Sequence, residues 1–334
     1  MYNIEDLLEH FEPPILIIST LVGRGMYYLG EAIRDRFKDK SNVYHFPIED
    51  FLPADALNED LKRYKKISTY FPFLLYLIYK IPIFYYRKYL REKLSSQTRL
   101  SGLKTKIELL KIKTVICISH RPAFWVSSLK QKEKMTFKLC GVLGEYGRTL
   151  GWKYIFWEEL NYFLSPVDKG LLDYSFPLDL NFFKINLPAR KEFYNLANIK
   201  GDRNAVLLVA GFWGQGPLFK ILRLFKKELP QLTVYVVCGE NAKLHDRIST
   251  FFKSVHNIKV YGVVDSLLPL MLPCASVITK PGISTILEAH AAARKIFLLK
   301  GMPVAEDNNA RYAIAHFGAE LFSIQSFKKW YSSL

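Results

Sequence analysis

The sequence predicts an α/β protein of two units, each a parallel sheet covered by helices on both faces. Three observations carry this reading. The chain has 334 residues, enough for two domains of ordinary size with a core apiece. Short apolar runs alternate with helical patterns, most regularly in the second half, and such runs belong to strands buried on both faces. Glycine-containing turns follow the first strand of each half, at Gly23 and Gly25 and at Gly211 and Gly214.

In the first half, Pro14 to Ser19 reads as a strand, Gly23 and Gly25 as its turn and Tyr27 to Phe37 as a helix. Thr114 to Ser119 (TVICIS) is a β-branched run ending at His120 and Pro122. Further strand-like pieces follow near Phe137 to Leu143 and Tyr162 to Pro166, and a linker is expected near Asn186 to Asp202. These features divide the chain into 1–188 and 189–334. In the second half, strands are expected at Ala205 to Val209, Leu232 to Val237, Ile258 to Val264, Ser276 to Thr279 and Ile296 to Leu299. Helices are expected at Leu218 to Lys227, Lys243 to Phe252, Thr285 to Ala293 and Asn308 to Phe317. Ligands of such sheets bind at the carboxyl ends of the strands.

Composition narrows the class. Half of the residues are hydrophobic and 23% charged, with a mean hydropathy of +0.03, apolar for a soluble protein and far from a bundle of membrane spans. The opening residues are polar and acidic, and Ile15 to Val22 is too short to span, so a cytoplasmic protein is expected. Cys117, Cys140, Cys238 and Cys274 are too scattered for a metal pair or a disulfide framework and read as reduced core thiols.

The net charge of +16 calls for an anionic partner. Leu61 to Cys140 holds roughly nineteen Lys and Arg against about three Asp and Glu, essentially the whole excess. Within it, Tyr70 to Tyr86 is apolar and aromatic, broken by Pro72, Lys80 and Pro82 and flanked by Arg87, Lys88, Arg91 and Lys93. The pattern fits a segment lying in an anionic membrane interface; a core helix with a solvated basic flank fits it too. Nucleic acid is not expected, because the cations are interleaved with Leu, Ile and Phe and not with a recognition module.

The sharpest local signal is Thr279 to Ala310, TKPGISTILEAHAAARKIFLLKGMPVAEDNNA. A strand ends at Thr279, Pro281 and Gly282 turn the chain, and a helix beginning at Ser284 or Thr285 directs its free N–H groups at the strand ends, where they suit a diphosphate without a metal. Glu288, one turn in, is placed for ribose hydroxyls. Thr285-x-x-Glu288 is equally a capping box, in which the glutamate only satisfies backbone.

From Ala205 to Phe322 this sequence resembles the donor-binding domain of glycosyltransferase family 28, the diacylglycerol glucosyltransferases and monogalactosyldiacylglycerol synthases above all. The pattern of Thr279, Lys280, Pro281, Gly282, Glu288, Ala289, Asn309 and Ala310 carries the resemblance. It extends weakly through the first half, where Ser19 to Gly25 is similar to the family's glycine loop and Tyr70 to Arg91 to its acceptor segment. The resemblance implies a GT-B architecture of two Rossmann-like domains facing a cleft. The first domain would bind acceptor and membrane; the second would bind a uridine diphosphate sugar, with no cofactor and no metal. It further implies inverting transfer of a hexose to diacylglycerol at the cytoplasmic face of the membrane.

Residue by residue, the family implies that Val264 offers its backbone to uracil and Glu288 holds the ribose. Gly282, Ser284 and Thr285 would face the diphosphate, Arg190 would reach the phosphates, and Glu306, Asp307 and Asn309 would grip the donor sugar. Gly211 and Gly214 match its second glycine turn. Their plainer readings are a linker arginine, a polar loop with a helix cap and a tight turn.

The chain departs from the family at several points. The amino-terminal loop reads Gly23-Arg24-Gly25-Met26, without the histidine proposed as base, so His120 and Glu145, both expected at strand ends, become candidate bases. Ala305 replaces an expected glutamine, Phe212 and Trp213 stand in a turn of usually small or polar residues, and the closing helices seen elsewhere in the family look shortened. Two other readings stay open. One is transfer of N-acetylglucosamine to a polyprenyl diphosphate; the other is a non-catalytic nucleotide or lipid binder.

Overall fold

In a computed structural model, residues 2–51, 66, 100–147, 149–172, 176–301 and 305–333 are described. The aromatic segment Tyr70 to Tyr86 lies outside them, as does much of the basic stretch. The chain divides into two compact units, the first over Met1–Pro188 with Pro303–Ala305 and the second over Ala189–Met302 and Glu306–Leu334.

The first unit is built on a six-stranded sheet in the order β2-β1-β3-β4-β5-β6, every pair parallel. Its strands are β1 (Ile15–Ser19), β2 (Val43–Pro47), β3 (Thr114–Ile118), β4 (Lys138–Val142), β5 (Tyr162–Ser165) and β6 (Asn181–Lys184). The helices are α1 (Ile4–Leu8), α2 (Gly25–Arg34), α3 (Ser101–Leu109) and α4 (His120–Glu133). All five residues of β1 and of β3 are buried, as central parallel strands require. The core runs from Leu16, Ile18, Val115 and Cys117 under α3 and α4 into an aromatic group of Trp152, Trp157, Phe163 and Phe176.

The second unit has the sheet order β12-β11-β10-β7-β8-β9, again all parallel. These strands are β7 (Asp202–Val209), β8 (Thr233–Val237), β9 (Ile258–Tyr261), β10 (Cys274–Thr279), β11 (Lys295–Leu298) and β12 (Glu320–Leu321). Its helices are α5 (Lys191–Tyr194), α6 (Leu218–Glu228), α7 (Ala242–Phe251), α8 (Leu268–Met271), α9 (Ile283–Ala291), α10 (Ala305–Phe317) and α11 (Ile324–Ser332). The amphipathic α6 buries Leu218, Ile221, Leu222 and Phe225 at helical spacing and turns its lysines and Arg223 outward.

Several sequence expectations are corrected. Beyond the strand at Thr114–Ile118, where no helix was expected, His120 begins the four-turn helix α4, whose first turn accommodates Pro122 because those N–H groups lack partners anyway. The expected linker holds α5, and β7 starts already at Asp202. The strand expected to reach Val264 stops at Tyr261. Beyond the expected last helix, α11 docks with Phe327 fully buried among Phe225, Phe297 and Phe322. All four cysteines are buried and unpaired. Among the described residues no helix is long and apolar enough to cross a membrane.

Candidate functional site

Each sheet reverses its strand order once, between β1 and β3 in the first unit and between β7 and β10 in the second. The loops leaving the carboxyl ends of those neighbouring strands part there and open a crevice, where doubly wound sheets hold ligands.

In the second unit the crevice is made largely of backbone. Gly211, with φ of +72°, opens the turn after β7, and a Cβ there would stand 2.6 Å from Lys280 Cε, so the lysine stem lies directly on it. Gly214, also left-handed at +59°, leaves no space for a Cβ beside the Cys238 carbonyl. Phe212 and Trp213 between them are half-buried, and the Phe212 carbonyl accepts from the Glu240 N–H at 2.8 Å. After β10, the Lys280 ammonium pairs with Glu306 at 2.9 Å, and fully buried Asn309 donates to the Pro281 carbonyl at 3.1 Å. Both contacts come from the first five residues of α10, opened by Ala305, and fix the turn that aims α9. Asp307 is exposed.

The start of α9 departs from the expected register. Its N-cap is Gly282, which has no side chain to cap with, and the helix begins at Ile283. Thr285 is therefore inside the first turn and the capping box with Glu288 does not form. Among the described residues the N–H groups of Ile283, Ser284 and Thr285 have no acceptor. Three aligned donors at the positive end of a helix dipole form a seat for an anion.

Glu288 is instead engaged by Arg190. The guanidinium Nε and Nη2 donate to one carboxylate oxygen at 3.0 and 2.9 Å, with Glu192 3.2 Å from Nη1 and the Phe193 ring 4.9 Å below. The sequence expected Arg190 at phosphates; here it lies against the glutamate expected at the ribose. Only 3% of Glu288 is exposed, and burial pushes its carboxyl up to about 7 against the downward pull of Arg190. Val264 is half-buried in the loop after β9, with no hydrogen bond to its backbone among the described residues.

The first unit builds its crevice from side chains. Gly23 (φ +67°) and Arg24 (φ +58°) carry the chain out of β1, and Gly25 starts α2. Met26 lies against Gly144, where a Cβ would stand 2.5 Å from its sulfur, so the structure brings Met26 beside Glu145 after β4. Ser119 ends the β3 seam at φ 87° and ψ 165°, a region nearly restricted to glycine and costing about 1–3 kcal/mol for other residues. That turn sets His120 at the start of α4, its ring against Gly151 and edge-on to Trp152 at 6.5 Å. Burial, with a smaller effect of Arg121, lowers His120 to about 4, so its imidazole is neutral at physiological pH.

Two further groups escaped the sequence reading. Buried Glu49 accepts from Thr20 Oγ1 at 2.5 Å and from the Leu21 N–H at 3.0 Å, with Arg121 Nη1 at 4.0 Å. His45 joins Ser19 Oγ (2.8 Å) to Glu31 and stacks on Tyr27. Glu49, in the turn just past β2, holds the start of the glycine loop, and His45 ties β1 and α2 to β2, a strand whose mixed burial hides it in the sequence.

Comparison with known proteins now adds to this geometry. No family model matches the chain. A processive diacylglycerol beta-glucosyltransferase of Bacillus mycoides is 28% identical over 317 residues, covering 90% of this chain and 79% of the relative. One from Bacillus cereus strain G9842 matches equally. The resemblance to family 28 holds over nearly the whole chain. These relatives are joined by solved structures that share the fold. Acinetobacter baumannii MurG superposes with a TM-score of 0.57 at 11% identity, covering 96% of this chain and 90% of its own. Staphylococcus aureus MnaA, solved with UDP, gives 0.54 at 12% identity, covering 97% and 88%. The two parallel six-stranded sheets are those of the GT-B glycosyltransferase fold.

Proposed function

We propose that this chain is a membrane-associated inverting glycosyltransferase that moves a hexose from a uridine diphosphate sugar to diacylglycerol at the cytoplasmic face of the membrane. The observation that carries the donor half is the seat at the β7–β10 reversal, where unpartnered N–H groups of Ile283, Ser284 and Thr285 follow the turn that begins at Lys280 beyond β10. The similarity to processive diacylglycerol beta-glucosyltransferases supports the acceptor and the beta-linked product.

In this reading the α9 start takes the diphosphate and Lys280 adds a cation beside it. The free oxygen of Glu288 takes a ribose hydroxyl while Arg190 holds the carboxylate in place. The backbone of Val264 meets uracil; Glu306 and Asp307 are assigned to the sugar, while buried Asn309 holds the Pro281 turn. An acceptor hydroxyl attacks the anomeric carbon, the bond to the diphosphate oxygen breaks, and UDP leaves with its charge spread over the helix start. The hydroxyl proton goes to His120 or Glu145. His120 is favoured because Ser119 holds a strained backbone to place it, and because the ring is neutral and able to accept. The basic stretch 61–140 supplies attraction to anionic lipid.

The test incubates the full chain with labelled UDP-glucose or UDP-galactose and diacylglycerol vesicles and identifies the glycolipid. A hexosyl diacylglycerol is the expected product; donor binding without product would replace this reading with that of a non-catalytic binder, which the methionine at position 26 favours.

A further inference from the structure

The outer face of α6 and α7 has a composition that neither the sheet nor the donor seat explains. Lys220, Arg223, Lys226 and Lys227 of α6 and Lys243 and Arg247 of α7 are all exposed. The opposing carboxylates are few: Glu228 is taken by Lys328 at 3.0 Å, which leaves Asp246, already beside His245 at 3.1 Å. Among these cations lie rings. Phe251 is 51% exposed and meets half-buried Phe219 edge-on at 5.1 Å, and the two border an open depression with Arg223, Arg247, Thr250 and a single carboxylate, Asp246. Arg247 sits 4.1 Å over the Phe219 ring, and Lys226 lies 5.9 Å from the Phe251 ring.

Cations alone fit any polyanion, and the rings decide between them. A nucleic acid needs open aromatic faces to stack its bases, whereas here cations cover the ring faces. A half-exposed phenylalanine ringed by Lys and Arg suits the boundary between phosphates and acyl chains, where the ring leaves water and the cations stay among head groups. We infer that the α6–α7 face is a membrane contact of the second unit, with Phe251 entering the acyl boundary and Arg223 and Arg247 on anionic lipid phosphates. None of these residues belongs to the proposed donor seat, so the inference stands whether or not the chain transfers sugar.

The experiment uses the full chain carrying Thr250→Cys labelled with an environment-sensitive nitrobenzoxadiazole dye; the native thiols are buried and escape labelling. Vesicles contain phosphatidylglycerol and phosphatidylcholine in equal parts, or phosphatidylcholine alone. On the anionic vesicles the dye should brighten and shift to the blue. Arg223→Glu with Arg247→Glu should weaken binding about tenfold or more, as two reversals near an anionic surface imply. The control reversal Lys169→Glu with Lys200→Glu, exposed lysines on neither helix and identical in charge, should cost about threefold at most, since screening leaves only nearby charges effective. Dye that remains in water on vesicles that do bind the chain, or equal losses in both variants, overturns the inference. So does a dye response to a single-stranded oligonucleotide that vesicles fail to produce.

Discussion

The two order-reversal points solve the same task with different materials. In the second unit, glycines without side chains let strands, turn and helix close on one another, and what faces the crevice is backbone N–H and one lysine. In the first unit the loop after β1 is held by side chains reaching across strands: Thr20 to Glu49, Ser19 to His45, and Arg121 close to Glu49. A backbone seat suits a diphosphate that must be recognised whatever sugar it bears. A side-chain network fixes a few atoms against one another, as proton transfer needs.

This contrast can be broken most forcefully at Gly214. Gly214→Ala should destabilise the second unit by about 3 kcal/mol or more, because its left-handed backbone and the Cys238 carbonyl both reject a Cβ. Thermal unfolding measures it, and a variant as stable as its parent would end the argument that close backbone packing builds this site. Next in size, His120→Ala should lower transfer about a hundredfold, the range for a positioned proton acceptor, while UDP affinity stays unchanged in isothermal titration. In the parent, transfer should fall as pH drops through about 4, where His120 gains its proton, and not near 6.5.

Glu49→Gln tests the side-chain network of the first unit. The amide keeps the shape but presents a donor where the carboxylate accepted from Thr20 and Leu21, so urea unfolding should show a loss of about 2 kcal/mol. The smallest effect concerns pH. The buried Glu288 carboxyl titrates at about 7 in the folded chain against 4.5 ordinarily, so it favours folding fully below about 4.5 and that contribution is lost as pH rises through 7. Glu288→Gln should flatten stability across this window; an unchanged slope would mean that Arg190 keeps the group ionised throughout.

Much of the second unit was readable because its signals are local. The β7 run, the glycines after it and the Thr279–Gly282 turn each announce themselves within a few residues. The helix register was not readable there. Thr285-x-x-Glu288 has the spacing of a capping box, and only Arg190, far off in sequence, shows the glutamate turned to another partner. In the first unit β2 and β6 stayed hidden, since an edge strand such as Asn181–Lys184 mixes polar with apolar residues. Glu49 was invisible for a related reason. A buried carboxylate looks like any surface one until the fold brings Thr20 to it.

The wholly parallel sheets also set the order in which the chain can be made. β1 is flanked by β2 and β3, and the partner of Ile15 on the inner side is Thr114. In the second unit Val206 waits for Ser276. A hairpin closes within a few residues of its turn, but each of these seams needs a long loop to be synthesised and its closure entropy overcome before the first ladder bond forms. On the ribosome the apolar β1 and β7 therefore emerge well ahead of the neighbours that will cover one flank. During that interval Ile15–Ser19 and Asp202–Val209 are apolar stretches of nascent chain that a chaperone can shield.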